Sequence, residues 1–186
     1  MAIRMKTHWH NDKERSLEEL SSALGLMIWK VSANRLLEME NTGFMTHSNM
    51  QRLAIIGEFL AFLLQATDRL AFQRLEDDQR NAFINALAKH LVRAFSENQT
   101  DLLGKGNDYE GFFTDFLNQR AEEYAELSFA NDEAQLDFLR HFGTQLEKLL
   151  SNSAENKHWI VQHVIELDGP QAIKSIRQTL DGLLTS

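Results

Sequence analysis

The sequence predicts an all-α fold, a single-domain bundle of about six to seven helices, two or three of them long. Three observations carry this expectation. Apolar residues recur at helical spacing almost from end to end, and no run alternates in the manner of a half-buried strand. Only one proline and nine glycines occur in 186 residues, too few punctuation points for a many-stranded fold. Helix-start signals, a short polar residue followed by an acid or amide three positions on, stand ahead of the apolar runs.

Residues 1–12 read as a flexible N-terminal tail and 13–186 as one helical domain. Ser16 with Glu19 forms a capping box, in which hydroxyl and carboxylate each satisfy one orphan amide. The helix it opens runs to about Glu40, where Asn41-Thr42-Gly43 stops it. Ser48 and Gln51 cap a second helix reaching about Leu75; its segment LAIIGEFLAFLL, residues 53–64, is apolar apart from Glu58. Asp77 and Asp78 begin a third, with Phe83, Leu87, Leu91 and Phe95 one turn apart.

Gly104-Lys105-Gly106 breaks the chain, and Asn107 with Glu110 offers a cap for a fourth helix. Its stripe is Phe112, Phe113, Phe116, Leu117, Tyr124 and Leu127. Asn131 is expected to cap a fifth, with Phe138, Leu139, Phe142, Leu146, Leu149 and Leu150 as its seam. A shorter helix covers about Glu155 to Leu167. Pro170 then stands at the first position of the last helix, where a missing N–H costs nothing. Ile173, Ile176, Leu180, Leu183 and Leu184 give that helix one apolar edge. Leu87, Phe116, Phe142 and Leu146 are the expected core centres.

Composition excludes several kinds of chemistry. The chain has no cysteine, which removes disulfides, thiol catalysis, thiolate zinc sites and cysteine-ligated iron–sulfur clusters. A net charge of −8, with its bases scattered among acids, disfavours nucleic acid and anionic membrane surfaces as partners. The longest apolar run is too short to span a bilayer, and the N-terminus lacks the apolar core of an export signal. The expected compartment is the cytoplasm, and no cofactor is expected.

The titratable candidates are few. On a helical wheel of about 100° per residue, Glu58 belongs to a stripe with Gln51, Gln65 and Arg69, flanked by Ala54, Ala61 and Asp68. Such a stripe reads as a solvated or half-covered edge, on a helix otherwise apolar over most of its circumference. Glu155 and His158 form a Glu-x-x-His pair of the sort used in bundle metal centres, but no second copy exists, so no metal site is expected. His8 and His10 are two ligands at most, which cannot close a site.

Trp159, His163 and Glu166 share one helix face, and a histidine oriented by a carboxylate beside an aromatic ring suits general-base or axial-ligand chemistry. An ordinary helix surface presents the same pattern. His90 and His141 lie at the margins of apolar stripes, and His47 in a turn. No nucleophile-elbow motif or complete glycine-rich nucleotide loop occurs, so no catalytic residue is assigned.

The first helix carries two apolar arcs. Leu17, Leu20, Leu24, Met27, Ile28 and Val31 make one; Leu26, Trp29, Ala33, Leu36 and Leu37 make the other. An outer helix of a monomeric bundle needs one arc, so the second marks a candidate interface with Trp29 and Leu36 near its centre. The expectation is a helical bundle acting through protein–protein contacts as a homodimer. The alternative is a small-molecule-binding protein or enzyme with an apolar pocket between helices, lined with Phe and Leu.

Overall fold

The computed structural model describes residues 16–150 and 157–185. The expected N-terminal tail, with His8 and His10, lies outside them, as does Glu155 and with it the Glu155–His158 pair. The chain is an all-α bundle. Helices α1 (Leu17–Asn41), α2 (Asn49–Ala71), α3 (Asp77–Leu103), α4 (Tyr109–Ala125) and α5 (Leu136–Leu150) are followed by α6 (Lys157–His163) and α7 (Gly169–Leu184). Among the described residues, α6 and α7 are joined without a break by a π turn, Val164–Asp168.

The second helix sits at the centre because little of its surface tolerates water. It packs against α1, α3, α4, α5 and α7. Five consecutive residues, Phe59 to Leu63, are each fully buried, which no helix with one free side can achieve. Aromatic rings from α5 meet it: Phe142 stacks on Phe62 at 4.1 Å and lies edge-on to Phe59 at 4.8 Å. Each such side chain contributes roughly 1.5–3 kcal/mol of hydrophobic stabilisation. No helix among the described residues is long and apolar enough to cross a membrane.

The Ser16 capping box forms as read, with Ser16 Oγ accepting from Glu19 N and Glu19 Oε2 accepting from Ser16 N. Ser48 caps α2 through Gln51 N, but α2 ends at Ala71, before the expected Leu75. Asp108, not Asn107, caps α4: its carboxylate accepts from Gly111 N, while Asn107 donates to the Tyr109 hydroxyl. Asn131 is also a turn residue and not a cap. Asn131 and Asp132, with φ of 54° and 61°, link two short antiparallel strands, Phe129–Ala130 and Glu133–Ala134. Paired positive φ is the geometry of a tight hairpin turn, which Asn and Asp tolerate.

Pro170 stands in the first turn of α7, as expected, although that helix follows the π turn without a break. Its ring cannot accept the normal helical path past the carbonyl four residues earlier. The backbone widens just before it: Gly169 N–H donates to Val164 O, five residues back, and the helix continues. Of the four expected core centres, Leu87, Phe142 and Leu146 are fully buried. Phe116 is only half-buried and borders a surface cleft. Phe142→Ala should therefore cost about 3–5 kcal/mol in chemical denaturation, and Phe116→Ala clearly less. Equal losses at the two positions would contradict this placement.

Candidate functional site

Glu58 is 5% exposed, so the expectation of a solvated edge is corrected. Only Glu58 of the polar stripe on α2 is buried, and three members, Gln51, Glu58 and Arg69, meet partners far along the chain. Gln51 Nε2 donates to Leu149 O, and Arg69 Nη2 donates to Tyr124 O and Ala125 O. Between them Glu58 takes a bidentate pair from Arg120, Nε to Oε2 at 2.9 Å and Nη2 to Oε1 at 2.6 Å. Gly57, next to Glu58, lets Phe95 of α3 and Phe113 of α4 come close.

Arg120 is spent on structure. Its Nη1 donates to both oxygens of Glu123, at 3.0 Å each, and Nη2 also reaches Gln145 Oε1 at 3.4 Å. A guanidinium has five N–H donors, so these contacts leave none for an anionic ligand. Its pKa is raised, chiefly by the Glu58 hydrogen bonds. Glu123 is held below the usual carboxylate range: burial pushes it up, but Gln119, Arg120 and His141 outweigh that. His141 Nε2 lies 3.0 Å from Glu123, and His90 Nε2 lies 3.0 Å from Glu18, so each ring stands half-buried beside a carboxylate. Burial pushes the Tyr124 hydroxyl well above its ordinary pKa, with Glu58 adding to the effect.

Above Glu58 opens a cleft of about 250 Å³, lined by Phe95, Phe112, Phe113 and Phe116 with Gln99 and Leu149. Phe95 and Phe113 stack at 3.8 Å, and the Arg120 guanidinium lies 4.8 Å over the Phe116 ring. Gly57 suits this close packing, since a Cβ would stand 3.2 Å from the Phe95 ring, tighter than ordinary contact. The cleft is apolar, with a carboxylate at its base already neutralised by Arg120.

Four of the five candidate interface residues line a second hollow of about 430 Å³: Trp29, Ala33, Leu36 and Leu37. Leu53 and Ile56 of α2 and Leu102 of α3 complete its apolar lining. Trp29 and Leu36 form the floor, 3% and 5% exposed, whereas Leu37 stands at the lip, 54% exposed. The second arc of α1 is thus largely covered by α2 and α3 of its own chain. What remains is concave, so Trp29 cannot be a protruding anchor. Its Nε1 is buried without a hydrogen-bond partner. Glu40 and Arg52 close one side of the groove with two 2.6 Å bonds. Leu26, half-buried, is not part of the lining.

The Trp159–His163–Glu166 cluster forms only in part. Trp159 and His163 do meet, ring centroids 5.2 Å apart, with Phe44 stacked on Trp159 at 4.7 Å. Glu166 is exposed and accepts from Gln162 instead. The π turn is the reason: its wider pitch places residue i+5 beside residue i. Asp168 therefore takes the expected place, with Oδ2 at 3.3 Å from His163 Nε2. Asp168 is 1% exposed, and burial raises its pKa to about 6, against the pull of His163 and Arg35. No group of three or more metal-ligating side chains gathers among the described residues.

A carboxyl whose folded pKa exceeds its unfolded value favours folding below the unfolded pKa, and that benefit is lost as pH rises through about 6. Asp168→Asn removes the buried charge. The variant should be more stable than the parent at pH 7.5, by about 1–3 kcal/mol, with the advantage shrinking as pH falls from 6 towards 4. Paired denaturation curves across that range check it; an advantage independent of pH would contradict it.

The chain matches no protein-family model, and neither a curated protein nor a solved structure is significantly similar to it.

Proposed function

We propose that this protein acts through protein–protein contacts, holding an apolar helix face in the groove between α1, α2 and α3, with a second copy of the chain as the partner. The supporting observation is the shape and lining of that groove. It is concave and walled by Leu, Ile and Trp side chains, the lining that helix-in-groove recognition uses. Leu37 projects from its lip, and Met50 and Leu103, chain neighbours of the groove residues Asn49 and Leu102, are exposed as well. In a two-fold pair, Leu37 of each copy would enter the groove of the other, burying one patch against itself.

A second reading places a small apolar molecule in the phenylalanine cleft. Phe112, 66% exposed at the cleft's edge, is the observation that favours it. With the donors of Arg120 already taken, such a ligand is held by its apolar ring or chain and not by a charged group. A thermal-shift screen with fatty acids, flavins and haem tests this reading.

Light scattering coupled to gel filtration at micromolar concentration tests the first. The expected mass is twice the 21.4 kDa of one chain. Leu37→Glu, at an exposed position, should return it to one chain while leaving the melting curve nearly unchanged, a surface substitution costing about 0.5 kcal/mol or less. A parent mass of one chain at every concentration would remove the homodimer.

A further inference from the structure

A third hollow lies where the hairpin around Asn131 and Asp132 meets the first two turns of α7, apart from the groove and the cleft. Its volume is about 360 Å³. Leu139 of α5 and Ile173 of α7, both buried, give it an apolar floor. Lys174 and Arg177 stand on its α7 side, and Glu133 on the hairpin side. The two cations are spaced i,i+3, which puts them on one face of the helix.

Basic side chains on a surface are commonplace, and by themselves they require no ligand. What sets Arg177 apart is where its partners have gone. Asp181 lies at i+4, the spacing of a helical ion pair, yet its carboxylate accepts from Arg74 Nε at 2.7 Å. Asp132 lines the same hollow, but Arg74 Nη1 and Nη2 take both its oxygens, at 3.1 and 2.8 Å. Arg177 is left with one hydrogen bond, Nη1 donating to the Asp132 carbonyl at 3.5 Å. The other half-buried arginines, Arg35, Arg69, Arg74 and Arg80, each have a carboxylate at 3.9 Å or closer. Among the described residues, Arg177 is the exception. Lys174 has no acidic partner among them either.

The chemistry of the occupant follows from what is left unfilled. A guanidinium carries its N–H donors in a planar fork that matches a carboxylate. Most donors of Arg177 are free, and an apolar floor lies beside them. That combination suits an amphiphile with an anionic end and a hydrocarbon body. Glu133 on the opposite rim repels a second negative charge, as does the overall charge of −8, which disfavours phosphates. We propose that this hollow binds a small aliphatic monocarboxylic acid. Its carboxylate takes the spare donors of Arg177 and the Lys174 ammonium, and its chain covers Leu139 and Ile173. The volume falls within the range of small-molecule sites. Unlike a guest of the phenylalanine cleft, this ligand is held by its charge as well as its chain.

Isothermal titration of the full chain with octanoate, at about 0.15 M salt so that exposed charges are screened, reads this directly. The expected result is one saturable site. Arg177→Gln should weaken it about tenfold, the loss expected of charge-assisted hydrogen bonds. The melting curve should be retained, because Arg177 gives the fold a single 3.5 Å contact. Lys174→Gln should weaken binding roughly threefold. Arg93→Gln removes the same charge from an exposed position on α3 and should leave affinity unchanged. Equal weakening by Arg177→Gln and Arg93→Gln would mean that binding reports only net charge, and would overturn the site. Absence of a saturable site, or octanol binding as tightly as octanoate, would do the same. Binding that survives Arg177→Gln but is lost on Phe112→Ala would put the acid in the phenylalanine cleft and overturn this assignment. Tighter binding of inorganic phosphate than of octanoate would overturn the assigned chemistry.

Discussion

The architecture hangs on one buried ion pair, Glu58 with Arg120. Neither charge is tolerable alone in this position: taking an ion out of water costs several kcal/mol unless a partner and further hydrogen bonds replace the lost solvation. Glu58 gains two bonds from Arg120, and Arg120 gains the rest from Glu123 and Gln145. The pair therefore demands that α4 lie along α2 in one register, with α5 close enough to supply Gln145. Apolar seams such as Phe59 and Phe62 against Phe142 supply most of the driving force, but they tolerate sliding. A bidentate pair does not.

Much of the fold was legible in the sequence, because helix starts and apolar spacing are local signals. Ser16, Ser48 and the seam of α5 stand where the pattern put them. What was not legible depended on partners far away in the chain. A wheel places Glu58 beside Gln51 and Arg69, but it cannot say that Arg120, 62 residues on, waits for it. Ala54, Gly57 and Ala61 on that stripe were the available hint, since a wet edge has no use for small residues at every turn. Asp168 was missed for a different reason. Only a widened turn brings residue i+5 to residue i, and the sequence marks that turn with nothing more than Gly169-Pro170, which also suits a helix start.

The C-terminal half of α3 is the wall common to the groove and the cleft. Asn98 and Leu102 face the groove, and Phe95 and Gln99 the cleft. These four residues lie within about two turns, so this rod presents aliphatic and aromatic chemistry in two directions. It packs in turn on α2, where Gly57 admits Phe95, and on α1. The candidate interface and the phenylalanine cleft are thus products of the same packing that the Glu58–Arg120 pair keeps in register.

The most direct measurement of that claim is a double-mutant cycle on the pair, read by equilibrium denaturation of Glu58→Gln, Arg120→Gln and the double variant. If the pair is buried and mutually required, each single change should cost about 3–5 kcal/mol, because each strands the other charge. The double variant should then cost little more than either, giving a coupling of about 2 kcal/mol or more. Single losses of about 0.5 kcal/mol or less that simply add would place Glu58 on a solvated surface and contradict the account at its centre.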